Sequence, residues 1–131
     1  MNSKFLALAV LMMASILVLG CTSQNQNNAS GEKVKVNFEV SYNEKTDKLS
    51  VFAEKGSNAF EIMKANLQVD FKDSAIGPFI TGINNINADT EHYWALYIDG
   101  NYAQKGINQY TIEKETIIAW KLEKIDLSQF S

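Results

Sequence analysis

The residues with the most chemistry to offer are aromatic and amide side chains. Phe79, Tyr93, Trp94, Tyr97, Tyr102, Tyr110 and Trp120 are interleaved with Asn84, Asn85, Asn87, Asn101, the pair Asp99-Gly100, and Gly106. Such a set can build a flat apolar platform rimmed by amide and backbone donors, which suits a large planar ligand with polar arms. Each aromatic can equally serve as core in a small sheet. Trp120, beside Ile118 and Leu122 in one apolar run, reads better as core.

Catalytic groups are sparse. The sequence has a single histidine and a single cysteine, and no serine elbow that would pair a nucleophile with a base. The carboxylate pairs Asp70/Asp73 and Glu113/Glu115 fall at strand ends or turns, positions that are usually solvated. No phosphate loop or dinucleotide fingerprint is present. The expectation is a protein that is not an enzyme, with no catalytic residues, no intrinsic cofactor and no metal site. His92 precedes Tyr93-Trp94 at the end of a polar stretch and is expected to be solvated rather than a ligand of cobalt. The net charge is −3, and its positive charges come from lysine, with no arginine. That balance argues against nucleic acid as a partner, because such binding calls for a basic patch.

These side chains must be positioned by short elements. Val34, Val36, Phe38, Val40 and Tyr42 alternate with polar residues, the period of a half-buried strand. Asn43–Asp47 reads as a turn, and Leu49–Ala53 as the returning strand. Asn58 or Ser57 can cap a helix whose Ala59, Ile62, Met63 and Leu67 face a sheet, with Glu61 placed to complete a capping box with Asn58. Leu67, Val69 and Phe71 alternate again. Pro78 marks Phe79–Ile83 as an edge strand, or as one that begins just after the proline. Asn84–Glu91 is polar loop, and Tyr93–Ile98, apolar on both faces, reads as a central buried strand or one with a ligand over one face. Asp99-Gly100 signals a tight turn, and Thr116–Leu122 closes the sheet. Two strands, one helix, then strands only fit an α+β domain in which one short helix packs on a β-grasp-like mixed sheet.

The N-terminus reads separately. Lys4 followed by the apolar run 5–19 has the form of a signal peptide over residues 1–20, too short to span a bilayer. Leu17-Val18-Leu19-Gly20-Cys21 resembles the bacterial lipobox, which implies lipidation of Cys21. Two or three acyl chains, at about 0.8 kcal/mol per buried methylene, hold a protein on a membrane almost permanently. Residues 21–32 are polar and serve as a tether to the domain at 33–126. The expected location is the cell membrane, lipid-anchored on its extracytoplasmic face.

Gly77, then Ile83-Asn84-Asn85-Ile86, Tyr93-Trp94 with Leu96, Gly106-Ile107, Tyr110 and the strand Thr116-Ile117-Ile118 occur in an order that resembles the C-terminal domain of the cobalamin carriers intrinsic factor and transcobalamin. That domain type also occurs alone in bacterial lipoproteins. In the carriers it is a β-rich lid over one face of the corrin, while a helical domain with no counterpart in this sequence holds the other. Carried over position by position, the resemblance implies ligand contact at Ile83, Asn84, Asn85, Tyr93, Trp94, Tyr97, Tyr102, Gly106 and Ile107. Asn84 and Asn85 can equally be structural, as turn residues. The resulting expectation is a cell-surface lipoprotein that binds cobalamin or a related corrinoid and passes it to a membrane importer for vitamin uptake. The alternative is an extracellular protein-interaction or adhesion module that uses the same aromatic face.

Overall fold

The computed structural model describes residues 31–130. The signal segment 1–20, Cys21 and the tether as far as Ser30 lie outside these residues.

The alternating segment at the start of the domain forms β1 (Lys33–Tyr42), with Val36, Phe38 and Val40 buried and their neighbours less so. The chain reverses over only two residues, Asn43 and Glu44, and β2 (Lys45–Glu54) pairs with β1 along its whole length. The turn is shorter and the second strand longer than the sequence predicts. Positive φ angles at Asn43 (46°) and Glu44 (62°) give the turn a twist that matches the flanking strands, so pairing resumes at once.

After β3 (Ser57–Asn58), the helix α1 (Ala59–Asn66) begins with Asn58 as its cap. Asn58 Oδ1 accepts from the backbone N–H of Phe60 and of Glu61, which stabilises the helix start by about 1 kcal/mol. Glu61 pairs instead with Lys64 at 2.7 Å, one turn along. Ala59, Phe60, Ile62 and Met63 form the buried face. Phe60 joins the helical positions expected from sequence and meets Phe71 edge-on, with ring centroids 5.1 Å apart.

A three-stranded sheet follows: β4 (Val69–Ser74), β5 (Gly77–Ile83) and β6 (Ile86–Asn87). The predicted edge strand is therefore the middle strand of this sheet. Its partner β6 reaches only Gly82 and Ile83, so Pro78 stands where that flank is unpaired within the sheet and its missing donor costs no ladder bond.

The aromatic strand β7 (His92–Ile98), the two-residue β8 (Asn101–Tyr102), a 3-10 turn (Ile107–Gln109), β9 (Thr111–Ile112) and β10 (Thr116–Lys124) complete the domain. The main sheet has the order β2-β1-β10-β7-β8, with β1 and β10 parallel and the other neighbours antiparallel. The last strand is thus its centre. The fold is α+β: mixed sheet with one α-helix among the described residues, and a core that runs from Val36 through Met63, Ile83 and Trp94 to Trp120.

Candidate functional site

Strand alternation decides where the aromatic residues go. Successive side chains of a strand point to opposite faces, so Tyr93 and Trp94 cannot share one. Trp94, Leu96 and Ile98 lie opposite Leu122, Trp120 and Ile118 and join the core. Tyr93, Ala95 and Tyr97 turn to the other face of the sheet, opposite Glu123, Lys121 and Ala119, and Tyr97 sits across from Tyr102 of β8.

On that outer face the tyrosines form one polar-tipped cluster. Tyr97 Oη donates to Glu123 Oε1 at 2.6 Å, and Tyr93 Oη lies 3.5 Å from Glu123 Oε2, the limit of a hydrogen bond. Tyr97 and Tyr102 meet edge to face with centroids 5.5 Å apart, and the Lys121 ammonium stands 4.3 Å from the Tyr97 ring centre. The bond to Glu123 pushes the Tyr97 phenol up to about 12. The neighbouring Tyr102 hydroxyl, more than Glu123, pushes Tyr93 to about 12 as well. Both phenols are neutral donors throughout the physiological range.

Where β7 passes β5, Tyr93 and Tyr102 join Phe79 to line two adjoining concavities. The smaller, about 210 Å³, also takes in Ile80, Trp94, Leu96, Lys105, Gly106, Ile107 and Trp120. The larger, about 610 Å³, runs past Glu123, Lys124, Ile125 and Asp126. Phe79 and Tyr102 are 55% and 51% exposed, so the shared wall is aromatic and open to solvent. Trp120 contributes a second feature. Its Nε1 is the one buried side-chain nitrogen or oxygen without a hydrogen-bond partner among the described residues. The Trp94 Nε1, by contrast, donates to the Ile86 carbonyl at 3.2 Å. Gly106 holds its place because a Cβ there would come within 2.9 Å of Asn108 Oδ1.

Of the residues singled out from sequence, Tyr93, Trp94, Tyr102, Gly106 and Ile107 all line this groove, and Tyr97 adjoins it. Trp94 and Ile107 do so from the core, at 5% and 1% exposure. The other three lie elsewhere. Ile83 is fully buried, and Asn84 and Asn85 form the two-residue turn between β5 and β6, with φ of 50° and 65°. Asn84 Oδ1 accepts from the Gln68 N–H, so this side chain acts as a turn residue. It also borders a separate cleft of about 310 Å³ beside Phe38, Leu49 and Leu67. A further cleft of about 480 Å³ lies by Lys55, Ile98, Tyr110 and Ile112, away from the groove. Lys121, Glu123, Lys124 and Asp126 were missed. They come beside the tyrosines only through the β7–β10 register, which no local pattern reports. Cys21 lies outside the described residues.

His92 is tied to Asp89: its Nδ1 is 2.9 Å from Asp89 Oδ1, which also accepts from the His92 backbone N–H at 2.7 Å. These bonds, the ring contact first, hold the Asp89 carboxyl below its usual range. Among the described residues no three His, Cys, Asp or Glu side chains are grouped to hold a metal ion.

No curated protein matches the chain. Among solved structures it is similar to haptocorrin in complex with Cbi, at 23% identity and a TM-score of 0.63, over 81% of this chain. The match spans only 29% of the haptocorrin chain. It is also similar to a protein from Ruminococcus gnavus ATCC 29149, provisionally described as metal binding, at 16% identity and a TM-score of 0.61, over 72% of this chain and 99% of that one. The carrier resemblance read from the sequence is therefore met by a likeness of fold. Residues 56–124, just over half of the chain, match the domain of unknown function DUF4430, and the chain belongs to that family.

Proposed function

We propose that the protein is a non-catalytic binding protein whose aromatic groove takes one face of a corrinoid. The observation that carries this reading is the convergence of Tyr93, Trp94, Tyr102, Gly106 and Ile107, positions implied by the carrier resemblance, on one open groove with Phe79. Its chemistry suits the ligand: apolar ring surface for a flat macrocycle, and phenol and ammonium donors for amide arms. Haptocorrin, similar in fold, was solved with Cbi bound, which supports the same ligand class.

In this reading Cys21 carries the lipid that keeps the domain on the extracytoplasmic face of the membrane, and the bound corrinoid passes to a membrane importer. Colour retained by the protein after incubation with cobalamin or cobinamide and desalting tests the binding. Phe79→Ala and Tyr102→Ala should each weaken it about fivefold or more. Phe52→Ala, at the far edge of the sheet, should leave it unchanged. Titration calorimetry that gave no heat with several corrinoids at high concentration would overturn the assignment. With one face of the ligand held, micromolar rather than very tight affinity is expected. Membrane fractions from cells making Cys21→Ala should lose the protein to the soluble fraction.

One observation favours a second reading, a protein-interaction module. Ile76, 83% exposed, stands three residues from the exposed Phe79 and widens the apolar patch. Retained colour after desalting separates the two.

A further inference from the structure

The outer edge of β2 is a ten-residue strand with no neighbour among the described residues. The two-residue turn makes Tyr42–Lys45 the first hydrogen-bonded pair of the hairpin. Odd-numbered residues of β2 therefore bond to β1. Thr46, Lys48, Ser50, Phe52 and Glu54 direct their backbone N–H and C=O outward. Natural edges of this length are normally shortened, bulged, covered or charged, and this one keeps its charges, Lys45, Asp47, Lys48 and Glu54, to either side of an uncharged centre at Leu49–Ala53. This one is regular in pairing throughout, and carries Phe52 at 71% exposure and Leu49 at 38%.

We propose that this edge pairs with the β2 edge of a second copy, antiparallel about a two-fold axis at Val51, so that the two main sheets become one. The charge pattern selects the register. Centred on Val51, the pairing sets Lys48 opposite Glu54 and Asp47 opposite Lys55, each twice by symmetry. Glu54 has no ion pair among the described residues, whereas Lys48 and Lys55 already face Glu39 and Glu32 at 3.0 and 3.1 Å. On the helix side Leu49 meets Ala53 of the second copy and Val51 meets itself. On the outer side the two Phe52 rings are diagonal neighbours, within aromatic reach. Shifting the axis to Ser50 sets Lys45 against Lys55, and shifting it to Leu49 sets Glu44 against Glu54. Both place like charges face to face and are disfavoured. The aromatic groove lies by the opposite edge of the sheet, so pairing leaves it free in both copies.

Disulfide trapping in cells that make the full chain tests the contact and its register. Val51 faces its symmetry mate in a non-hydrogen-bonded pair, where Cα atoms approach within disulfide range. Val51→Cys should give a covalent dimer under mild oxidation at least about tenfold faster than Leu49→Cys alone. Leu49→Cys made together with Ala53→Cys should cross-link as Val51→Cys does. Adding Glu54→Lys to Val51→Cys should slow trapping about fivefold, and Lys48→Glu with Glu54→Lys should restore it. Ser50→Pro, which removes an outward N–H and the hydroxyl bond to Asn37 but no backbone bond to β1, should abolish trapping while the far-UV spectrum is kept. Ser50→Ala, which loses the hydroxyl bond alone, should trap as before. Monomeric Val51→Cys would overturn the proposal, as would faster trapping through Leu49→Cys or a double charge reversal that restored nothing.

Discussion

Trp94 and Trp120 are both buried on the core side of the sheet, yet they differ at one atom. The Trp94 indole donates to the Ile86 carbonyl; the Trp120 indole finds no acceptor among the described residues. An unpaired buried donor costs about 1–3 kcal/mol. Phenylalanine at either site removes similar ring volume. At Trp94 it also removes the hydrogen bond to the Ile86 carbonyl, whereas at Trp120 it relieves an unpaired donor. Trp94→Phe should therefore destabilise the domain more than Trp120→Phe does, by about 1 kcal/mol or more in urea titrations. The tyrosine cluster gives a pH signature. Tyr97 holds its proton more tightly when folded, so the unfolded chain ionises first as pH rises. The stabilisation is whole below the ordinary value of 10 and is lost as pH climbs through about 12. Tyr97→Phe should lower stability at neutral pH, reduce the loss between those values, and remove one late step from the tyrosinate absorbance titration.

At the scale of elements, two-residue turns recur. Asn43-Glu44, Asn84-Asn85 and Asp99-Gly100 all take positive φ at both positions. Glutamate gains nothing from that conformation and is strained in it by roughly 1 kcal/mol, which glycine avoids. Glu44→Gly should raise stability by about that amount in urea or thermal unfolding, with no change at the groove. These turns also mark how far local pattern reaches. The alternation of β1, the Asn58 cap and the Asp99-Gly100 turn are each encoded within a few neighbouring residues, so they are legible in the sequence. The pairing of β10 with both β1 and β7 is not, because it joins distant segments. That register alone brings Glu123 to Tyr97 and Lys121 over its ring. The same limit explains Tyr93 and Trp94: adjacent in sequence and both aromatic, they read as one patch until the strand sends them to opposite faces. The middle position of β5 was hidden by Pro78, whose missing donor falls where β6 has already ended.

Across the whole molecule one core joins every layer, from Val36 on the first strand to Trp120 on the last. The element order yields no smaller unit that could bury its apolar face alone. Residues 33–126 made by themselves should unfold in a single cooperative urea transition, monitored by both far-UV circular dichroism and tryptophan fluorescence. A chain ending before Thr116 should show no transition at all, since β1 and β7 would lose the strand that lies between them.

The parallel pairing of β1 with β10 also has a consequence in time. Asn37 reaches Glu115, 78 residues further along, across this pair. Contacts of such separation close large loops before they give anything back, and folds rich in them form in milliseconds to seconds rather than microseconds. A chain synthesised from its N-terminus can complete the β1–β2 hairpin early. It cannot close the sheet until the final strand is released. Until β10 is free the sheet lacks its centre, so the domain stays open, a form that can be threaded through a narrow channel. It gains its lasting structure only once that strand docks between β1 and β7.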